Sequence, residues 1–245
     1  MMTVDIRLNA ILDPQRAGGR SLPELARAVA AGGATLLQLR DKLGTTRRMI
    51  EEARAIKAQT RVPLVINDRV DVALASGADG VHVGPDDMAA ADARRLLGPS
   101  AIIGLSVKSV AQAEAAPVEL LDYVGVGGVY ATLSKDDAQS IGLAGLAAIV
   151  DVLRRRAPHL PVCGIAGIDA KNAGAAIEAG AGGVAVISAM SLAGDPQAAA
   201  RTLRAAVDAA LMKRPSSFET AASRPPQDEG GPHGEERRAA TRLEP

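Results

Sequence analysis

Eight short apolar runs, each followed by a longer amphipathic stretch, constrain this chain more than any other feature of its sequence. The apolar runs lie at residues 6–12, 35–39, 63–66, 80–83, 102–105, 123–126, 161–164 and 183–187 and are rich in Val, Ile and Leu. Their length and β-branched content predict strands. The stretches between them, at 22–31, 46–60, 70–75, 89–97, 110–115, 144–156, 170–179 and 196–211, predict helices. Strands that alternate with helices predict a parallel sheet with right-handed crossovers. Strands with few polar interruptions predict a sheet covered on both faces. A doubly wound open sheet and a closed barrel share this local pattern.

Two observations favour closure. The length, 245 residues, suits one α/β barrel of about 250 residues. Ala31-Gly32-Gly33-Ala34-Thr35-Leu36-Leu37 also resembles Ala75-Ser76-Gly77-Ala78-Asp79-Gly80-Val81, and both resemble Ala179-Gly180-Ala181-Gly182-Gly183-Val184. Each places Gly where a helix stops, because Gly accepts the left-handed conformation of a helix end. Any helix-to-strand junction has some of this character, so the repeat supports closure without requiring it. From Met212 onward the apolar periodicity dissolves into stretches such as Arg224-Pro225-Pro226-Gln227-Asp228-Glu229-Gly230-Gly231-Pro232, a composition that cannot bury a core. The expected organisation is therefore α/β: a (β/α)₈ TIM barrel over residues 1–212, then a disordered tail over 213–245.

Composition removes several classes of function. Lys and Arg number 28, Asp and Glu 28, for a net charge of zero, which argues against a general nucleic-acid or anionic-membrane surface. Tyr123, Tyr130 and Phe218 are the whole aromatic set, too few for stacking single-stranded nucleic acid. Cys163 is the single cysteine, so neither an intrachain disulfide nor a Cys-based metal site can form. It stands inside an apolar strand and reads as core. His82, mid-strand, and His159 and His233, in a loop and the tail, show no metal-ligand spacing. Neither a signal sequence nor an apolar run of roughly 20 residues is present, so cytoplasm is the expected compartment. The sequence leaves a homo-oligomer open.

In a barrel of this kind the site lies at the C-terminal strand ends. Those ends read Gln38-Leu39-Arg40-Asp41-Lys42, Asn67-Asp68-Arg69, Gly84-Pro85-Asp86-Asp87, Ser106-Val107-Lys108, Gly125-Val126-Gly127-Gly128 with Thr132-Leu133-Ser134-Lys135 beyond it, Gly164-Ile165-Ala166-Gly167, and Ile187-Ser188. Arg presents a planar fork to phosphate oxygens, and Lys a point charge. Asp supplies hard oxygens for Mg²⁺, which takes one or two carboxylates plus phosphate and water. Gly-rich turns after strands seven and eight admit a phosphate close to the backbone. Each group has an ordinary alternative: Arg40 and Lys42 paired with Asp41 in solvent, Asn67-Asp68 or Asp86-Asp87 capping the next helix. Their arrival together at successive strand ends favours a metal with a diphosphate on one side and a monophosphate on the other.

These motifs resemble the thiamine-phosphate synthase family, together with Val70-Asp71, Gly77-Ala78-Asp79-Gly80-Val81-His82-Val83-Gly84, Gly104-Leu105-Ser106 and Asp122-Tyr123-Val124-Gly125-Val126-Gly127. The resemblance runs from Arg7 to Leu211. It implies condensation of 4-amino-5-hydroxymethyl-2-methylpyrimidine diphosphate with a thiazole phosphate, or its carboxylate, releasing pyrophosphate and giving thiamine monophosphate. It implies a dissociative reaction, in which pyrophosphate leaves before the thiazole nitrogen attacks. By matching motif, Gln38, Arg40, Lys42, Asn67, Ser106 and Lys135 would hold the pyrimidine diphosphate, with Arg40, Lys42, Ser106 and Lys135 carrying catalysis. Asp68 and Asp87 would bind Mg²⁺. Thr132, Ser134, Gly167, Ile187 and Ser188 would hold the thiazole phosphate. The chain departs from the common pattern at Pro85 (usually Gln), Lys108 (often His), Gly128 (Pro), Ser134 (Thr), Ala166 (Gly) and Gly182 (Asp). A tautomerase-like relative with the same phosphate end, and a phosphate-ligand sensor without turnover, are the competing readings. The retained Gln38, Arg40, Lys42, Asp68, Asp87 and Lys135 argue against the tautomerase.

Overall fold

The computed structural model describes residues 4–131 and 140–214. Its strands are β1 (Leu8–Leu12), β2 (Leu36–Leu39), β3 (Leu64–Asn67), β4 (Gly80–Val83), β5 (Ile102–Val107), β6 (Tyr123–Val126), β7 (Val162–Ile165) and β8 (Gly183–Val186). All pair in parallel and in sequence order. The ring closes where Leu8 of β1 stands beside Val184 of β8. This is the closed (β/α)₈ barrel, and the open sheet is excluded by that last ladder.

The helices are α1 (Leu22–Ala31), α2 (Thr46–Gln59), α3 (Val70–Ser76), α4 (Ala90–Leu97), α5 (Val110–Ala115), α6 (Gly142–Arg156), α7 (Ala173–Glu178), α8 (Ser188–Ser191) and α9 (Pro196–Lys213). Helix starts are chemically marked where side chains can accept orphan N–H groups. Thr45, Ser109 and Asp195 accept from Arg48, Gln112 and Ala198, and Pro196 follows Asp195 at the first helical position. Expected and observed bounds differ by a residue or two, and by three at α7. The last helix continues through Lys213, one residue past the expected domain limit at 212; the expected tail from 215 onward lies outside the described residues. The helix α8 was not expected.

Two apolar shells follow from strand alternation. Leu8, Ala10, Leu12, Leu37, Leu39, Val81 and Val83 point outward into the layer against the helices. Ile6, Ile11, Leu36, Val65, Tyr123, Cys163 and Ala185 fill the barrel interior. Cys163 is buried there, as expected of a core residue. Burial pushes its thiol up to about 12.

The N-terminal rim is fixed by side chains just ahead of the even strands. Thr35, Asp79 and Asp122 accept the N–H groups of Leu8, Leu64 and Ile103. Lys57 of α2 pairs with Asp79 at 2.8 Å, and Arg94 of α4 with Asp122 at 2.6 Å. This leaves the opposite rim to its loops. Among the described residues no helix is long and apolar enough to cross a membrane.

Candidate active site

A cavity of about 140 Å³ opens at the C-terminal strand ends, lined by Gln38, Arg40, Asn67, Ser106, Gly167, Ile187 and Ser188 among others. Seven of the expected site residues therefore share one pocket. Thr132, Ser134 and Lys135 lie outside the described residues.

The cationic side is built from ion pairs that the sequence does not announce. Arg40, just past β2, donates through Nη1 to Asp13 Oδ2 at 2.5 Å. Asp13 follows β1, and its side chain is 1% exposed; its other oxygen accepts from Gln15 N. Lys42 pairs with Asp68. Asp41 pairs with neither cation: its Oδ1 accepts from Leu43 N, Gly44 N and Gln15 Nε2, which folds the loop around it. The solvated Arg40–Asp41–Lys42 alternative is thus not what the structure holds.

Nor are the acidic residues helix caps. The N-caps of α3 and α4 are Arg69 and Ala89, and neither makes a side-chain cap bond. Asp68 has φ 63, in the left-handed region, a conformation that Asp tolerates better than most residues. Asp87 accepts from Gly84 N at 2.7 Å. Burial raises the Asp68 pKa, Lys42 opposes that, and the neighbouring Asp87 raises it further. Two hard carboxylates that repel each other beside this cavity suit a divalent cation, which would relieve the repulsion. The donor set fits Mg²⁺ completed by phosphate oxygens and water; among the described residues no cluster of three or more His, Cys, Asp or Glu offers a fuller cage.

On the floor lies a residue that sequence reasoning passed over. His82 Nδ1 is 2.9 Å from Tyr123 Oη, and Nε2 is 2.8 Å from Ser106 Oγ. Burial pushes the Tyr123 phenol well above its usual range, the nearby Cys163 adds to this, and Gln38 pulls weakly the other way. A phenol that keeps its proton can donate it to Nδ1. Nε2–H then donates to Ser106 Oγ, leaving the Ser106 hydroxyl hydrogen for a ligand. Glycine makes the room: a Cβ at Gly104 would lie 2.3 Å from the Tyr123 ring and 2.6 Å from His82, and one at Gly125 would lie 3.1 Å from His82. An inward-facing His flanked by Gly on the next strands was the available signal.

The opposite wall is backbone. Ala166 and Gly167 after β7 have φ 87 and 65. Ile165 O and Ala166 O accept from Val129 N and Tyr130 N, and Gly167 O accepts from Asn172 Nδ2. A Cβ at Gly167 would meet Tyr130 Cβ at 2.7 Å and Ala131 O at 2.8 Å, so this Gly is required by the loop after β6 as well as by any ligand. Facing it, α8 begins at Ser188 directly after Ile187. Loops after strands seven and eight with a short extra helix are the usual phosphate cradle of such barrels.

Fold and site together define a phosphate-handling enzyme of the (β/α)₈ class. The sequence profile of the thiamine monophosphate synthase family matches residues 8–190. A thiamine-phosphate synthase of Agrobacterium fabrum is 54% identical over 218 residues, which is 87% of this chain and 99% of that protein. One from Moorella thermoacetica is 47% identical, covering 84% of this chain and 98% of its own. The solved thiamine phosphate pyrophosphorylase of Pyrococcus furiosus superposes with a TM-score of 0.75 at 37% identity, covering 86% of this chain and all of that one. A 3-hexulose-6-phosphate synthase, at 21% identity and a TM-score of 0.59, shares the fold. The chain belongs to the thiamine-phosphate synthase family.

Proposed function

We propose that this transferase of thiamine biosynthesis joins 4-amino-5-hydroxymethyl-2-methylpyrimidine diphosphate to a thiazole phosphate in the cavity described, in the cytoplasm. The observation that carries the reading is the division of the mouth. Arg40, Lys42, Asp68 and Asp87 follow β2, β3 and β4, the Gly167–Ser188 cradle follows β7 and β8, and Gln38, Asn67 and Ser106 line the cavity from β2, β3 and β5.

In the reaction, the bond between the pyrimidine methylene carbon and the diphosphate oxygen breaks, and pyrophosphate leaves with the electron pair. The thiazole nitrogen lone pair then forms the new C–N bond. Nitrogen carries no proton, so no general base is needed. With the thiazole carboxylate as substrate, CO₂ departs as well.

Arg40 and Lys42 stabilise charge that grows on the leaving oxygen. Asp13 holds the Arg40 fork, so little reorganisation is needed at that moment. Ser106, held through its oxygen by His82, donates outward. Gln38 and Asn67 orient the pyrimidine diphosphate. Ile11, Ile165 and Ala185 give an apolar floor that keeps water from the cationic methylene. Bound at Asp68 and Asp87, Mg²⁺ would supply further positive charge to the diphosphate.

The test is direct. The chain, both substrates and Mg²⁺ should yield thiamine monophosphate and pyrophosphate, and excess chelator should stop turnover. Full activity in chelator would overturn the metal assignment, and no product under any condition would overturn the reaction.

A further inference from the structure

The segment between β1 and α1 leans on the segment after β8. A 3-10 turn, Pro14–Arg16, follows Asp13. Gly18 and Gly19 then take φ 60 and 78, a left-handed turn that glycine allows without strain. A Cβ at Gly18 would lie 3.3 Å from Leu192 Cδ2, so the turn passes close to the residues beyond α8. Arg20, next in line, reaches across to them. Its Nη1 donates to Ser191 O at 2.7 Å, and its Nη2 to Ala193 O at 2.8 Å and Gly194 O at 3.4 Å. In the reverse direction Ser191 Oγ donates to Arg16 O at 2.7 Å, and Ser191 is 1% exposed.

These bonds hold a helix that cannot hold itself. The helix α8 is one turn, Ser188–Ser191, without a side-chain N-cap bond. A single turn has too few internal hydrogen bonds to offset the entropy of ordering it. The carbonyls at its C-terminal end have no partners further along the helix, and a guanidinium meets that end with planar donors and favourable charge. The other end of α8 opens on the substrate cavity, whose lining includes Ile187, Ser188 and Ala189. Arg20 is not part of that lining, so its effect on a ligand there passes through α8.

We propose that Arg20 is a positioning residue for the phosphate of the thiazole substrate: by gripping the C-terminal end of α8 it fixes the backbone at Ile187 and Ser188, across the cavity from Gly167. The inference rests on the proposed thiazole-phosphate cradle and adds to it a residue outside the cavity. The grip is one-sided. The Arg20 fork engages residues 191–194, whereas Arg40 and Lys42 are held by Asp13 and Asp68. Loss of Arg20 should therefore weaken one substrate and spare the other.

The test compares the full chain with Arg20→Ala, Arg20→Lys and Ser191→Ala. Kinetics with each substrate varied in turn give kcat and both KM values. Calorimetry gives Kd for thiazole phosphate and, with Mg²⁺, for inorganic pyrophosphate. Arg20→Ala should raise KM and Kd for thiazole phosphate about tenfold or more, because misplacing a binding group by about an ångström is enough to do so. The kcat at saturation and the pyrophosphate Kd should stay within about twofold, the pattern of a lost binding interaction. Arg20→Lys keeps the charge without the planar fork and should recover part of the loss. Ser191→Ala removes the return bond to Arg16 O and should show the same split more weakly, which keeps the test open if Arg20→Ala does not fold. Unchanged affinity for thiazole phosphate in the folded variants overturns the proposal. So does an equal rise in both KM values, which would make Arg20 a general brace. A chain that binds thiazole phosphate with this dependence on Arg20 but forms no product would overturn the reaction and leave the grip standing; one that binds no thiazole phosphate would overturn both.

Discussion

A carboxylate buried as deeply as that of Asp13 is costly to leave without a matching cation. Here the cation is Arg40, which is proposed to hold the pyrimidine diphosphate. Asp13→Asn keeps the shape and removes the charge. The loss of a charge-assisted hydrogen bond, about 1.5–3 kcal/mol, should lower kcat/KM for the pyrimidine diphosphate roughly ten- to hundred-fold. The KM for thiazole phosphate should hold, and kinetics with each substrate varied in turn would separate the two. Cys163 offers a pH test. Its thiol is raised from 9.0 to about 12 in the folded chain. Between those values the unfolded chain releases the proton and the folded chain keeps it, so stability falls as pH rises through that window. Urea melts at pH 8 and pH 10 should show a larger loss for the unaltered chain than for Cys163→Ala. The sequence made Gln38, Arg40, Asn67 and Ser106 legible, because polar groups at the ends of apolar runs stand out. Asp13 and His82 were not legible in the same way. Their partners lie 27, 24 and 41 residues away, and only barrel neighbourhood joins them.

The β7-to-α7 turn carries a strained residue as an element-scale feature. Ala166 is held at φ 87 by its place in a loop whose carbonyls receive Val129 N and Tyr130 N. A Cβ in that region costs roughly 1–2 kcal/mol, and Gly loses about 0.5–1 kcal/mol more entropy on folding. Ala166→Gly should therefore stabilise the chain by about 0.5–1 kcal/mol, seen as a higher urea midpoint with unchanged slope. Unchanged or lower stability would mean that the loop already accommodates the methyl group. Elements of four or more apolar residues could be read from sequence because burial on both faces writes a continuous signal. The helix α8 could not, since Ser188–Ser191 is a single turn, too short for a 3.6-residue period to register. Strand limits such as Ile102–Val107 run into the polar residues that serve the site, where apolar pattern and pairing part company.

At the scale of the whole molecule, the choice between open sheet and barrel was undetermined by any local run, since both are made of the same strand–helix units. The deciding contact is between β1 and β8, Leu8 beside Val184, the strand pairing most distant in sequence among the described residues. Arg7 meets Asp208 at 3.4 Å in the same neighbourhood, so the first strand and last helix are neighbours in space. A ring of strands has no first member: its order is cyclic, and where the polypeptide happens to start is a property of the chain and not of the architecture. A circular permutant opened at the exposed Pro99–Ser100 turn, with the old ends joined by a flexible linker, should keep all eight ladders and the site intact. It would turn the β1–β8 closure into a local step and make the β4–β5 ladder the long-range one. Native circular dichroism and turnover with altered folding rates would show it, and a permutant that cannot fold would mean that closure depends on the original order of synthesis.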